Sequence, residues 1–308
     1  MKTVFIDGQE GTTGLKIGSR LAERSDLQLL TIDPALRKDR EARKALLNAA
    51  DVVFLCLPDD AARESVSLVE NPNVCVIDAS TAHRTSPDWT YGFPELSPAH
   101  RQAVANAKRI CVPGCHATGF IAIVYPLIQL GVLSKDALLH CHSITGYSGG
   151  GKKMIAAYEA EDRATGYDSP MQYGLGLGHK HLPEMKHATG LAHAPVFNPI
   201  VCDFFAGMAV SVPLHKAQMQ AQKTCAQLLE LLQSFYAGQR FVRVSAASED
   251  GFLPANLNTD TNRLTLYVCG NDEQATLVSV LDNLGKGASG AAVQCMNIAL
   301  GLPEETGL

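Results

Sequence analysis

The 308-residue sequence has no cluster of basic residues: 26 Lys and Arg stand against 31 Asp and Glu, a formal net charge of −5. No nucleic-acid partner is expected, because a phosphate backbone demands clustered cations. Long apolar runs are also missing. The longest, such as Phe120–Leu130, fall well short of the ~20 residues that span a bilayer. The first residues enter an apolar pattern at Thr3–Asp7 with no secretory h-region before it. Nine cysteines, an odd number, do not suggest a disulfide framework, and a reducing compartment fits them better. The expectation is a cytoplasmic protein with no membrane contact. Internal repeats and low-complexity tracts are lacking as well. Ser148-Gly149-Gly150-Gly151 is too short to act as a linker.

What is present is an ordinary globular composition, 46% apolar and 19% charged. The length suggests two domains. Short apolar runs at Val4–Asp7, Leu27–Ile32, Val52–Leu57 and Val74–Asp78 alternate with helical patterns at Thr13–Arg24, Arg40–Ala49 and Asp60–Val69. This rhythm predicts an α/β doubly wound parallel sheet. After about residue 135 it changes. Alternating runs at Leu138–Thr145, Met208–Leu214, Arg240–Val244, Arg263–Cys269 and Ala275–Leu281 predict an α+β domain with a mostly antiparallel sheet. One long helix is expected over Lys216–Phe235, and a last one over Ala288–Leu300 that packs back on the first domain. The boundaries read as 1–114 with 283–308 for a dinucleotide-binding domain, and 115–282 for a catalytic, substrate-binding and oligomerisation domain.

The first strand runs into Gly8-Gln9-Glu10-Gly11-Thr12-Thr13-Gly14 and then a helix. Glycines there allow a tight turn and close backbone approach to a pyrophosphate, and the helix start offers unpaired N–H groups. Gly8, Gly11, Thr12, Thr13 and Gly14 are therefore candidate cofactor contacts. A glycine-rich turn that binds nothing is the plainer reading. At the end of strand two, Asp33 suits a ribose 2′-hydroxyl, whereas Arg37 and Lys38 suit a 2′-phosphate. These residues leave NAD and NADP both open.

Val112-Pro113-Gly114-Cys115-His116-Ala117-Thr118-Gly119 sets a cysteine after a sharp turn and before an apolar helical run. A free thiol has a pKa of about 8.5, and a helix N-terminus favours its reactive thiolate. Cys115 is thus a candidate nucleophile, unlike Cys56 and Cys75, which sit in core strand patterns. His179-Lys180-His181-Leu182-Pro183-Glu184 offers a partner base. Read as an extended segment, it points both histidines to one face. Loop histidines in ordinary hydrogen bonds are the plainer alternative. A metal site would need further ligands such as His116, His140, Cys141 or His142, and neither a C-x-x-C pair nor an H-E-x-x-H helix is present. No metal is expected.

These segments, in this order, resemble the short form of the N-acetyl-gamma-glutamyl-phosphate reductase family of arginine biosynthesis. Ile77–Arg84 looks like its D-x-S-x-x-x-R segment and Gly92–Leu96 like its G-x-P-E-L segment. Pro113-Gly114-Cys115 with Thr118 is similar to its nucleophile turn. Thr145–Lys153 resembles its S-G-x-S-G-x-G stretch, His179–Glu184 its H-R-H-x-P-E stretch, and Asp282–Ala288 with Gly301–Leu308 its tail. Lys180 and His83 depart from the usual arginine and aromatic. The resemblance implies a Rossmann domain completed by the C-terminal helix and a glyceraldehyde-3-phosphate-dehydrogenase-like α+β domain. It further implies NADP, Cys115 as nucleophile, and reduction of an acyl phosphate through a thioester to a semialdehyde.

On that basis His181 or His179 handles protons, with His181 favoured. Arg84, Ser148 and Glu184 are candidate substrate contacts, with Glu184 also able to orient an imidazole. Asn283 is a candidate cofactor contact. Arg84 as a surface ion pair, and Ser148 as a mere turn residue, are the plainer readings. The expected partners are a small-molecule substrate and a second copy of the chain, as a dimer or tetramer. Competing readings are aspartate-semialdehyde dehydrogenase, a thiol hydrolase on Cys115, and a catalytically silent nucleotide sensor.

Overall fold

A computed structural model describes residues 1–247, 250–271 and 273–308. The chain divides into two compact units, Met1–Pro113 with Ala288–Leu308, and Gly114–Gly287. Gly114 and residues 283–287 thus group with the second unit, a few residues from the boundaries read in the sequence. Asn283 explains part of this, since it bonds within that unit to Gly207 and Ser148.

The first unit runs β1 (Lys2–Asp7), α1 (Thr12–Ala22), β2 (Leu27–Leu30), α2 (Arg40–Ala49), β3 (Val52–Leu55), α3 (Asp59–Leu68), β4 (Cys75–Asp78), β5 (Thr90–Tyr91), α4 (Pro98–Asn106) and β6 (Arg109–Cys111). Its sheet is ordered β2-β1-β3-β4-β6-β5, and every neighbouring pair is parallel. β3 is buried along its whole length, as its uninterrupted apolar sequence requires, and β4 is buried likewise down to Asp78 at its end. One face is covered by Leu47, Ala62 and Leu68 from α2 and α3. The other is covered by Ile17 and Leu21 of α1 and Val104 of α4, with Ala292, Val293 and Met296 from the C-terminal segment.

The second unit begins with α5 (Cys115–Gln129) and continues through β7 (His140–Gly146), α6 (Gly151–Glu159), β8 (Met171–Gln172), α7 (Leu182–Thr189), β9 (Val196–Cys202), β10 (Met208–His215), α8 (Cys225–Phe235), β11 (Val242–Ala246), β12 (Leu264–Gly270) and β13 (Gln274–Leu281). The sheet order is β11-β12-β13-β10-β7-β9-β8. It is mixed: β7–β9 and β11–β12 are parallel, and the other neighbours are antiparallel. α5 packs tightly on the inner face, where a Cβ on Gly119 would come within 2.4 Å of Val210. Tyr236, the residue that ends α8 at its C-cap, donates its hydroxyl to the Ala122 carbonyl at 2.7 Å, tying the end of α8 to α5. The chain then re-enters the first unit with α9 (Gly290–Ala299).

Two expectations are corrected, and one strand is added. Lys216–Phe235 is not one helix. A 3-10 turn over Lys216–Gln218 ends, Gln222 takes φ 38°, and Thr224 starts α8 afresh with a capping box to Gln227. β9, for which the sequence pattern gave no expectation, holds Pro199 in its interior, where proline is uncommon. The segment before α7 is a turn and not extended: His181 has φ −85° and ψ −11° at the helix start.

Candidate active site

In the first unit, β1 enters the glycine turn at Gly8, which takes φ +87°. A Cβ at Gly8 would lie 2.4 Å from the Cys56 carbonyl oxygen, and one at Gly14 would lie 2.6 Å from the Gly8 oxygen. Only glycine fits either place without moving backbone. Gly11 donates to the Gly8 carbonyl at 3.1 Å and caps α1, with no side-chain cap bond among the described residues. The turn therefore presents bare backbone and the start of a helix, a cradle suited to a pyrophosphate. Behind it, buried Asp7 accepts from Arg43 at 3.0 Å and from Ser65 at 2.7 Å, a brace the sequence reading missed. Asp33 turns its carboxylate onto the Ala35 amide at 2.8 Å. Arg37 and Lys38 are exposed, and Arg37 lies 3.9 Å from Glu10 of the glycine turn.

In the second unit, Gly114 caps α5 and Cys115 is its first residue. Thr118 closes the turn, donating its amide and its hydroxyl to the Gly114 carbonyl at 2.8 and 3.0 Å. Glu184, only 1% exposed, accepts from the Gly114 amide at 2.9 Å. That contact holds the turn before Cys115. Gly287 lies against the same turn: a Cβ there would sit 2.7 Å from the Cys115 Cβ.

Three imidazoles gather beside Cys115's helix. The ring of His116 lies 5.5 Å from each of His179 and His181, which are 4.8 Å apart. His116 is buried, with Nδ1 2.7 Å from Ser143 Oγ and Nε2 2.7 Å from the Tyr173 hydroxyl. Burial, then the neighbouring charges of His179 and Lys180, push its pKa down to about 3. His179 accepts the His181 amide on Nδ1 at 3.2 Å, and burial followed by Lys180 lowers its pKa to about 4. Both are neutral at physiological pH. The phenol of Tyr173 is pushed up by burial and further by the charge of Cys115, and its hydroxyl meets the ring of His116, the residue next to Cys115. His116 entered the sequence reading only as a metal ligand, and Ser143 and Tyr173 not at all. They lie 27 and 57 residues from His116, and nothing local links them. Among the described residues no group of three or more His, Cys, Asp or Glu is placed to hold a metal ion.

The remaining predicted site residues fall in two places. Arg84 is buried in the first unit and donates to the Val112 carbonyl at 2.9 Å and the Ala79 carbonyl at 3.1 Å. It braces the strand exit that leads to the nucleophile turn. Ser148 and Asn283 come together in the second unit. Asn283 donates to Ser148 Oγ at 3.0 Å and accepts from the Gly207 amide at 2.8 Å. His83, stacked on Trp89 with centroids 4.1 Å apart, lies 2.7 Å from Asp78 and orders the segment before Arg84.

A parallel nucleotide-type sheet and a mixed-sheet unit carrying a cysteine at a helix start define a semialdehyde-dehydrogenase-type oxidoreductase. Residues 4–104 match the semialdehyde dehydrogenase NAD binding domain, and residues 115–283 match its dimerisation domain. The chain belongs to the N-acetyl-gamma-glutamyl-phosphate reductase family. A curated N-acetyl-gamma-glutamyl-phosphate reductase 2 from Nostoc is 47% identical over 99% of this chain and 98% of its own length. An N-acetyl-gamma-glutamyl-phosphate reductase from Burkholderia cenocepacia is 47% identical over 97% of both chains. Solved aspartate semialdehyde dehydrogenases share the fold. The Francisella tularensis enzyme has a TM-score of 0.72 at 14% identity, covering 97% of this chain and 99% of its own. The Candida albicans enzyme, solved with NADP, has a TM-score of 0.66 at 15% identity, covering 97% and 98%. Among the described residues no helix is long and apolar enough to cross a membrane.

Proposed function

We propose that this chain catalyses the NADPH-dependent reduction of N-acetyl-gamma-glutamyl phosphate to N-acetyl-glutamate 5-semialdehyde and phosphate, as a cytoplasmic step of arginine biosynthesis. The observation that carries this is Cys115 at the start of α5, held by Glu184 through Gly114 and followed by His116, whose ring meets those of His179 and His181. The N–H groups of the first helical turn favour negative charge on Sγ. The Cys115 thiolate attacks the acyl-phosphate carbonyl, phosphate leaves, and a thioester on Sγ remains. When bound, the reduced nicotinamide supplies the hydride that converts the thioester to a thiohemiacetal. Loss of the hydroxyl proton then expels Sγ and frees the semialdehyde.

His181 handles the protons at the tetrahedral oxygen. His179 suits this less well, because its Nδ1 is engaged by the His181 amide and its pKa lies near 4. Ser148, which accepts from Asn283, is the proposed hydrogen-bonding contact to the substrate. Arg84 remains the candidate contact for an anionic group of the substrate, its guanidinium being held by the Val112 and Ala79 carbonyls. The turn over Gly8, Gly11, Thr12, Thr13 and Gly14 holds the pyrophosphate. Because Asp33 is occupied with its own backbone, exposed Arg37 and Lys38 are left to meet a 2′-phosphate, which favours NADP over NAD.

A homo-oligomer is part of the proposal. His142 and Ile144 of β7 and Val196 of β9 lie on an exposed sheet face, and the matching domain carries the name of a dimerisation domain. The test is the reverse assay: reduction of NADP with N-acetyl-glutamate 5-semialdehyde and phosphate. Turnover is expected with this aldehyde and not with aspartate semialdehyde, and the opposite preference overturns the substrate assignment.

A further inference from the structure

His116 follows the nucleophile, is fully enclosed, and has no part in the mechanism above. Both its nitrogens meet hydroxyl groups, Ser143 Oγ on Nδ1 and Tyr173 on Nε2, each at 2.7 Å. A neutral imidazole has one donor and one acceptor, so one hydroxyl must donate to it and the other must accept from it. The surroundings decide which. Ser143 is fully buried in β7, and His116 is its only side-chain hydrogen-bond partner among the described residues. If Nδ1 carried the proton, the Ser143 O–H would be left without an acceptor in the interior, which is disfavoured. Ser143 therefore donates to Nδ1, and Nε2–H donates to the Tyr173 oxygen. Tyr173 keeps its own proton, and no acceptor for it stands among the described residues. Its hydroxyl is bonded to the residue that directly follows Cys115 at the start of α5, and Cys115 is the group there that can carry negative charge.

Resting on the reductase reading, we infer that His116 is a positioning residue: held by Ser143, it fixes the tautomer that turns the Tyr173 O–H toward the atoms reacting at Cys115. The reverse tautomer would present phenol lone pairs to a thiolate or an oxyanion. The proton on Nε2 presents a donor instead. Other titratable groups face this cluster: His179 and His181 from the segment entering α7, Lys180 between them, and Cys115 on α5. The arrangement needs His116 neutral, and its enclosure with a cation beside it keeps it so. His116 itself touches no substrate.

The test reads the pH dependence of Cys115 alkylation by iodoacetamide, resolved by peptide mass spectrometry, on the full-length protein without substrate. Tyr173→Phe and His116→Phe are each expected to move the alkylation midpoint up by about one pH unit, a tenfold change in thiolate equilibrium. The double variant should move it no further, because both changes remove the same hydrogen bond. Ser143→Ala should give a smaller shift in the same direction, and it keeps the inference testable if His116→Phe does not fold. In steady state kcat should fall while KM for NADP(H) stays put. The inference is overturned if His116→Phe and Ser143→Ala leave the midpoint where it is while Tyr173→Phe moves it. It is equally overturned if the shifts of the two phenylalanine variants add. Alkylation does not depend on which aldehyde the enzyme accepts. A failed reverse assay with a coupled alkylation cycle would therefore reject the substrate and leave the positioning role standing.

Discussion

Two helices in this protein start alike. α1 is capped by Gly11 at φ −73° and ψ 160°, and α5 by Gly114 at φ −74° and ψ 150°. Among the described residues neither cap is closed by a side chain, so each helix opens on backbone N–H groups. Each start can favour an anion. They differ in what completes them. The α1 turn is complete within seven residues, because Gly8, Gly11 and Gly14 pack against each other and against β3's exit at Cys56. The α5 turn is completed from far away, by Glu184 at a separation of 70 residues and by the imidazole cluster. In the proposed reading the same backbone device binds in one place and reacts in the other, and the difference lies in the residues that distant segments bring to it.

The strongest test of this contrast removes the sulfur proposed as the nucleophile at the start of α5. Cys115→Ser should lower reduction by about 10⁴-fold or more while leaving nucleotide affinity unchanged, read by steady-state rates and by NADPH fluorescence titration. Retained turnover would break the covalent mechanism and leave α5 as a second binding turn. Gly8→Ala attacks the other helix start. With φ +87° and a Cβ 2.4 Å from the Cys56 oxygen, it should destabilise the protein by about 2–3 kcal/mol and weaken NADPH binding, seen as a lower Tm and a higher Kd. An unchanged Tm would mean that β1 and β3 part more easily than their packing implies.

The same contrast explains what the sequence could disclose. The glycine turn was legible because its constraints are local, and so was Cys115, since Pro113-Gly114 in front of it and the apolar run behind it are contiguous. His179 and His181 were paired from spacing alone, although the reason given, an extended segment, does not hold. Their rings meet through a turn at the start of α7. Ser143 and Tyr173 carried no local signal. Ser143 is one small residue in an alternating strand, and Tyr173 lies just past the short strand β8. The partners of Glu184, Ser148 and Asn283 were likewise set by chain crossings that only the fold reveals.

Acid sensitivity sharpens the comparison further. His116 and His179 have folded-state pKa values near 3 and 4, below the ordinary 6.5. As pH falls through 6.5 the unfolded chain takes up protons that these two buried rings refuse, so their contribution is intact above that value and is lost toward pH 4 and below. In the first unit the comparable group is Asp51, held near 2 by its hydrogen bonds to Lys2 and to Thr3, whose contribution is lost only between the ordinary 3.8 and 2. Tm measured from pH 7 to pH 4 should therefore fall less steeply for His116→Phe than for the parent. Parallel curves would mean that His116 is protonated in the folded state, which would also remove the tautomer argument.

The smallest effect is expected at the edge of the glycine turn. Arg37 is exposed and 3.9 Å from Glu10, an ion pair worth little to stability on its own. Its value would lie in a partner that arrives with the nucleotide. Exchanging Arg37 and Lys38 for serine should therefore leave Tm unchanged and raise KM for NADPH by about tenfold, the size of one or two exposed charge contacts to a phosphate, with KM for NADH hardly moved. If both constants rise together, the two cations act on the pyrophosphate and not on the 2′-phosphate. If neither moves, Asp33 is the residue that meets the ribose. It would have to give up the Ala35 amide to do so, and the preference would turn toward NAD.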